Sequence, residues 1–192
     1  MKSKIYHSIT LVLIVFLNLA MVHSQETVKD GSLIAPFKAT ADNGEVWDSQ
    51  DYIGKENLVV FFYPAAMTGG CTKQACSYRD DKAELDKLNA RIIGISGDDV
   101  SNLDIFKMAY NLNFTLLSDP EGKIANIFGV PVREGEKSIT REIDGKEVIL
   151  KRSVTTARWT FVIDKEGKVI YRSTEVDAAN DSKQVIKALS GK

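Results

Sequence analysis

The chain has 192 residues, of which 44% are hydrophobic and 27% charged, with 25 basic and 26 acidic side chains. That balance fits a single globular domain and excludes collagen-like, fully disordered and multi-pass membrane classes. A formal charge of −1 leaves no electrostatic footprint for nucleic acid.

Lys2 and Lys4 precede a nearly unbroken apolar run over residues 9–17, and smaller or polar residues follow, ending at Val22, His23 and Ser24. This is the layout of a secretory signal peptide over residues 1–24, with the domain occupying 25–192 and an exported, periplasmic or secreted destination. The alternative is an uncleaved membrane anchor, for which the run is short against the roughly 20 residues a span requires. Beyond this segment no membrane contact is expected. His7 and His23 are the only histidines, so cleavage would leave a domain without any. That excludes Cys-His and Ser-His nucleophile pairs, histidine-rich zinc sites and the two-histidine iron site. Two cysteines are too few for a closed zinc site. A reactive thiol here must be activated by an arginine, a lysine, a hydroxyl or the backbone.

Residues 58–63 are a continuous apolar run rich in Val and Phe, predicting a strand buried on both faces of a sheet. Residues 72–90 have helical character, with Ala75, Tyr78, Leu85 and Leu88 on one side and mixed charges on the other. Residues 91–96 repeat the strand pattern, completing a βαβ unit with parallel strands. A helix is predicted over 100–110, a short strand over 115–117 and a short helix over 124–128. Residues 131–157 are polar, with Asp144 and Gly145 as a turn signal, and read as an appended surface hairpin. A second hairpin, 160–163 with 168–171, and a last helix over 181–189 close the chain. The sum is an α/β fold, a central mixed β-sheet flanked by helices. That is compatible with a thioredoxin-like sandwich, though pattern alone does not select it over other small α/β folds.

Both cysteines, Cys71 and Cys76, fall in the stretch directly behind the first strand. A buried strand ending in a Pro/Thr/Gly loop delivers Cys71 to the start of a helix, where unpaired N–H groups and partial positive charge favour a thiolate. If the segment is helical, positions i and i+5 have Cα atoms roughly 8–9 Å apart, whereas a disulfide needs about 7 Å or less. A bond between the two would then require local unwinding.

This segment, with Pro64, Thr68 and Cys71 spaced as Pro-x-x-x-Thr-x-x-Cys and Cys76 five positions on, resembles the peroxiredoxin family, in particular its bacterioferritin comigratory protein (PrxQ) subgroup. The similarity continues through 91–96, 113–119, 128–130 and 158–164. It implies a thioredoxin-like fold and a peroxidase that reduces hydrogen peroxide or an alkyl hydroperoxide. Cys71 would be the peroxidatic thiolate and Cys76 the resolving thiol, joined in an intramolecular disulfide that a thioredoxin-like reductant reopens. Thr68 would hydrogen-bond the sulfur and the peroxide, Pro64 would shield the pocket, and Arg158 would hold the thiolate and polarise the O–O bond. No metal, haem, flavin or other cofactor is implied.

Each residue also has a plainer reading. A cysteine pair in an exported protein is commonly a structural disulfide, Arg158 a solvent-facing strand residue, Thr68 an N-cap and Pro64 a strand terminator. Trp47, Trp159, Phe61 and Phe62 are most simply core. The rival functions are a thiol-disulfide oxidoreductase of the same fold, which normally carries Cys-x-x-Cys, and a non-catalytic exported domain. One departure from the subgroup is Gly69, where proline is usual; glycine loosens the loop and raises its unfolded entropy.

Overall fold

The computed structural model describes residues 28–143 and 145–191. The proposed signal segment 1–24, with both histidines, lies outside the described residues. A seven-stranded mixed sheet has the order β2-β1-β5-β4-β3-β8-β9, formed by β1 (Lys38–Ala41), β2 (Val46–Asp48), β3 (Asn57–Phe62), β4 (Ala90–Ser96), β5 (Thr115–Ser118), β8 (Trp159–Ile163) and β9 (Val169–Ser173). Helices α1 (Gly69–Asp80), α2 (Lys82–Lys87), α3 (Val100–Tyr110), α4 (Lys123–Ile127) and α5 (Asp181–Leu189) cover it, while β6 (Val132–Ile143) and β7 (Lys146–Thr156) form a separate two-stranded sheet. The mixed sheet flanked by helices matches the expected fold class.

Strand β3 lies at the centre, parallel to β4 and antiparallel to β8. Its period of two divides the core. Val59, Phe61 and Tyr63 point to the face that holds Cys71, and Leu58, Val60 and Phe62 point to the other. All six side chains are buried, which is why the run contains no polar residue.

Two elements depart from the sequence reading. The single helix expected over 72–90 begins earlier, at Gly69, and is broken at Asp81, whose backbone leaves helical geometry at φ −92°, ψ 6°. Adjacent Asp80 and Asp81 oppose the dipole at a helix C-terminus, and the Asp81 carboxylate instead accepts a 2.7 Å bond from the Ser182 hydroxyl of α5. Strands β1 and β2, of four and three residues, are too short to leave a periodic signal.

The β6–β7 ribbon is largely exposed along β6, but it is not a detached appendage. Leu150 and Val154 are buried, Asn102 Nδ2 donates to Lys151 O at 2.6 Å, and Arg141 Nε donates to Met67 O at 2.9 Å. The ribbon therefore braces the loop that follows β3.

Candidate active site

The chain leaves β3 at Tyr63 and turns through residues 64–68 into α1. Three separate elements hold this turn. Ala66 N donates to Asp98 Oδ2 at 2.8 Å, Thr156 Oγ1 donates to Tyr63 O at 3.0 Å, and Arg141 from β6 holds Met67 O. Met67 sits at φ +59°, a left-handed conformation that costs a non-glycine residue energy and persists only where the surroundings impose it. Asp98 also accepts from Ser96 Oγ at 2.8 Å. Burial pushes its carboxyl above the usual range, against the pull of Ala66 N, Ser96 and the Arg152 charge.

Thr68 is the N-cap residue of α1, extended at φ −102°, ψ 148°. Its hydroxyl donates to Ala65 O at 2.9 Å and makes no capping bond. The Thr72 amide donates to Thr68 O at 2.8 Å, so the amides of residues 69–71 lie ahead of the helical ladder and point toward the helix entrance. Cys71 is the third helical residue, 1% exposed. Its Sγ accepts a 3.3 Å bond from Arg158 Nη2.

Arg158 reaches the thiol because β8 runs antiparallel to β3. Trp159 pairs with Phe62, so the residue before Trp159 emerges at the edge where the turn begins. The approach is close: a Cβ on Gly70 would lie 3.1 Å from Arg158 Nη2. The second guanidinium nitrogen, Nη1, donates to Gln74 Oε1 at 2.6 Å. Gln74 Nε2 in turn donates to Asp181 Oδ2 at 2.7 Å, and the same oxygen accepts from Tyr78 OH and Thr160 Oγ1, each at 2.7 Å. Burial pushes the Asp181 carboxyl up, opposed by the donors from Gln74, Thr160 and Tyr78 and by the charge of Arg158.

Cys76 lies on the same continuous helix, half-buried. Burial pushes its thiol up, partly offset by the charge of Arg79. The structure thus brings together Cys71, Arg158 and the amides at the helix start, with Cys76 one and a half turns along. Pro64, half-buried, lines a cleft of about 280 Å³ with Pro131, Arg133, Thr155, Thr156 and Ala157, and Cys71 is not part of that lining. The larger clefts, about 580 Å³ around Arg91 and about 700 Å³ between Met67, Met108 and Val148, also lie off the thiol. Among the described residues, no three His, Cys, Asp or Glu side chains are arranged to hold a metal ion.

Gln74, Asp181, Gly70 and Asp98 were not singled out in the sequence. Gln74 carries a signal in hindsight, because i+3 from Cys71 shares its helix face. Asp181 carries none, since an acidic residue opening a helix reads as a dipole partner.

The AhpC/TSA family pattern matches residues 31–172. Peroxiredoxin Bcp of Bacillus subtilis (strain 168) is 37% identical over 169 residues, which span 86% of this chain and 99% of that protein. The crystal structure of peroxidoxin BcpB from Mycobacterium tuberculosis superposes with a TM-score of 0.71 at 32% identity, covering 85% of this chain and 97% of that one. A Xanthomonas campestris bacterioferritin comigratory protein, described in terms of alkyl peroxide reduction, gives a TM-score of 0.66 at 26% identity over 81% of this chain and 90% of its own. The expected thioredoxin-like sandwich is the architecture of these peroxiredoxin structures.

Proposed function

Because this chain belongs to the AhpC/TSA family, among the Bcp and Q peroxiredoxins, and is a thiol-dependent peroxidase, we propose that Cys71 is its peroxidatic nucleophile and Cys76 its resolving thiol. The observation that supports this most directly is the Cys71 sulfur at a helix N-terminus, 3.3 Å from a guanidinium nitrogen. Arginine stays charged at any working pH, which suits a site with no histidine to activate the thiol.

In the first step the thiolate attacks one oxygen of hydrogen peroxide or an alkyl hydroperoxide and the O–O bond breaks. Sulfur is oxidised to a sulfenic acid, and the leaving oxygen takes a proton to depart as water or alcohol. Arg158 and the amides of residues 69–71 are donors aimed at that charge. Thr68, whose hydroxyl proton is committed to Ala65 O, can offer an oxygen lone pair to the peroxide proton, or its own proton after rotation. Pro64 shields the turn from water. In the second step the Cys76 sulfur attacks the sulfenic sulfur, releasing water and leaving a Cys71–Cys76 disulfide. A thioredoxin-like dithiol returns two electrons by exchange. With both cysteines on one helix, the second step requires α1 to open between them.

The alkyl peroxide reduction described for the Xanthomonas relative supports organic hydroperoxides as substrates beside hydrogen peroxide. Residues 1–24 support export. N-terminal sequencing of the mature protein should then begin at Gln25, and an intact Met1 would refute cleavage. The catalytic assignment is tested by two variants in a peroxide-consumption assay with dithiothreitol. Cys71→Ser should abolish turnover, and Cys76→Ser should consume about one equivalent and stop; turnover surviving in Cys71→Ser would overturn the reading.

A further inference from the structure

We propose that Asp181, the first residue of the last helix, is a positioning residue that orients Arg158 toward Cys71 through the Gln74 side chain. The inference rests on the reading of Cys71 as the reacting thiol. A glutamine amide has two unlike ends, and only the carbonyl end can accept from a guanidinium. Asp181 decides which end faces Arg158. Its ionised carboxylate is acceptor-only, so the Gln74 NH₂ must turn toward it, at 2.7 Å, and the carbonyl is left for Arg158 Nη1, at 2.6 Å. The guanidinium is planar and rigid. Fixing Nη1 therefore fixes Nη2, the nitrogen 3.3 Å from Cys71 Sγ.

The relay is tied down on every side. Tyr78 of α1 and Thr160 of β8 donate to the same Asp181 oxygen, while Asp181 Oδ1 has no hydrogen-bond partner, so the bonding is concentrated on the oxygen that faces Gln74. Gln74, Tyr78, Thr160 and Asp181 are all fully buried, and no bulk water is at hand to correct a reversed amide. Gln74 also lies between the two cysteines. Opening α1 for the disulfide withdraws it from both Arg158 and Asp181, so the relay that aims the arginine also holds the helix in its reactive form.

The test uses the full chain carrying Cys76→Ser, with two readouts for Cys71: its alkylation rate with iodoacetamide and its single-turnover rate with hydrogen peroxide. Asp181→Asn should slow both by about tenfold, the order expected for misdirecting one charge-assisted hydrogen bond, with the circular dichroism spectrum retained. Adding Gln74→Glu should restore both rates to within about threefold of the parent, because exchanging the amide and the carboxylate rebuilds the same donor–acceptor order. A purely structural role for Asp181 gives no such rescue. Parent rates in Asp181→Asn, or a double variant no faster than the single one, would overturn the proposal. If Asp181→Asn alone does not fold, the double variant decides: rates near the parent's support the relay, and tenfold lower rates overturn it. A chain that shows the alkylation pattern but consumes no peroxide would refute the peroxidase reading and leave the relay standing.

Discussion

On one face of the central sheet, Leu58, Val60, Phe62, Phe161 and Ile163 pack with Phe37, Trp47 and Phe128. On the other, Val59, Phe61, Tyr63 and Val162 share their side with Cys71, Ala75 and Tyr78, beside Gln74, Thr160 and Asp181, which are buried as well. The same strands serve both faces, since alternate residues point opposite ways. The first face depends on volume, because Phe128 alone meets Phe37, Phe62 and Phe161 with ring centroids 5.0–5.5 Å apart. The second depends on satisfied polarity, where each buried donor and acceptor must keep its partner. Stability and reactivity are thereby assigned to opposite sides of a single sheet.

The largest effect that could break this division is a cavity on the apolar face. Phe128→Ala should destabilise the domain by about 3–5 kcal/mol, read from urea denaturation, while the Cys71 peroxide rate of the folded protein stays within about twofold of the parent. A rate that falls in step with stability would show that the faces are coupled. The converse change is Arg158→Lys. A lysine supplies one point charge where the guanidinium supplies two fixed donors, to Gln74 and to Cys71. The peroxide rate should fall by about 10²-fold, with stability lowered by about 1 kcal/mol at most. Loss of stability without loss of rate would reverse the assignment of the two faces.

The same contrast explains what the sequence disclosed. Strand β3 was legible because burial on both faces leaves a continuous apolar run, and β4 for the same reason. Strands β1 and β2 alternate over too few residues to register, and the break at Asp81 is set by a partner 101 positions away, Ser182. Within the site, Pro64, Thr68, Cys71 and Cys76 were legible because they are contiguous. Arg158, 87 positions from Cys71, was reached only through the family resemblance, since an arginine before a strand otherwise reads as surface. Gln74 and Asp181 stayed hidden because a buried polar group is recognisable only by its partners, and those partners come from three elements.

The smallest effect concerns the start of α1, where the reactive face must also be able to open. Gly69 is the first helical residue, the position proline favours because its missing N–H would be unpaired there in any case. Thr68 before it is already extended, as a residue preceding proline must be. A Cβ at position 69 would meet nothing within 4 Å. Nothing in the folded state therefore requires glycine, and its consequence lies in the opened state, which it makes more disordered. Gly69→Pro should raise stability by about 0.4–1 kcal/mol and slow Cys71–Cys76 disulfide formation by about two- to fivefold, measured by quenching with an alkylating agent and mass spectrometry. The proline restrains the first turn without touching Cys71, Arg158 or Gln74, so the preceding peroxide step should keep its rate. If stability rises while disulfide formation keeps its speed, the first turn is not part of the opening. The helix must then unwind from the Cys76 side, where Gln74 and its two buried bonds would be the element that resists.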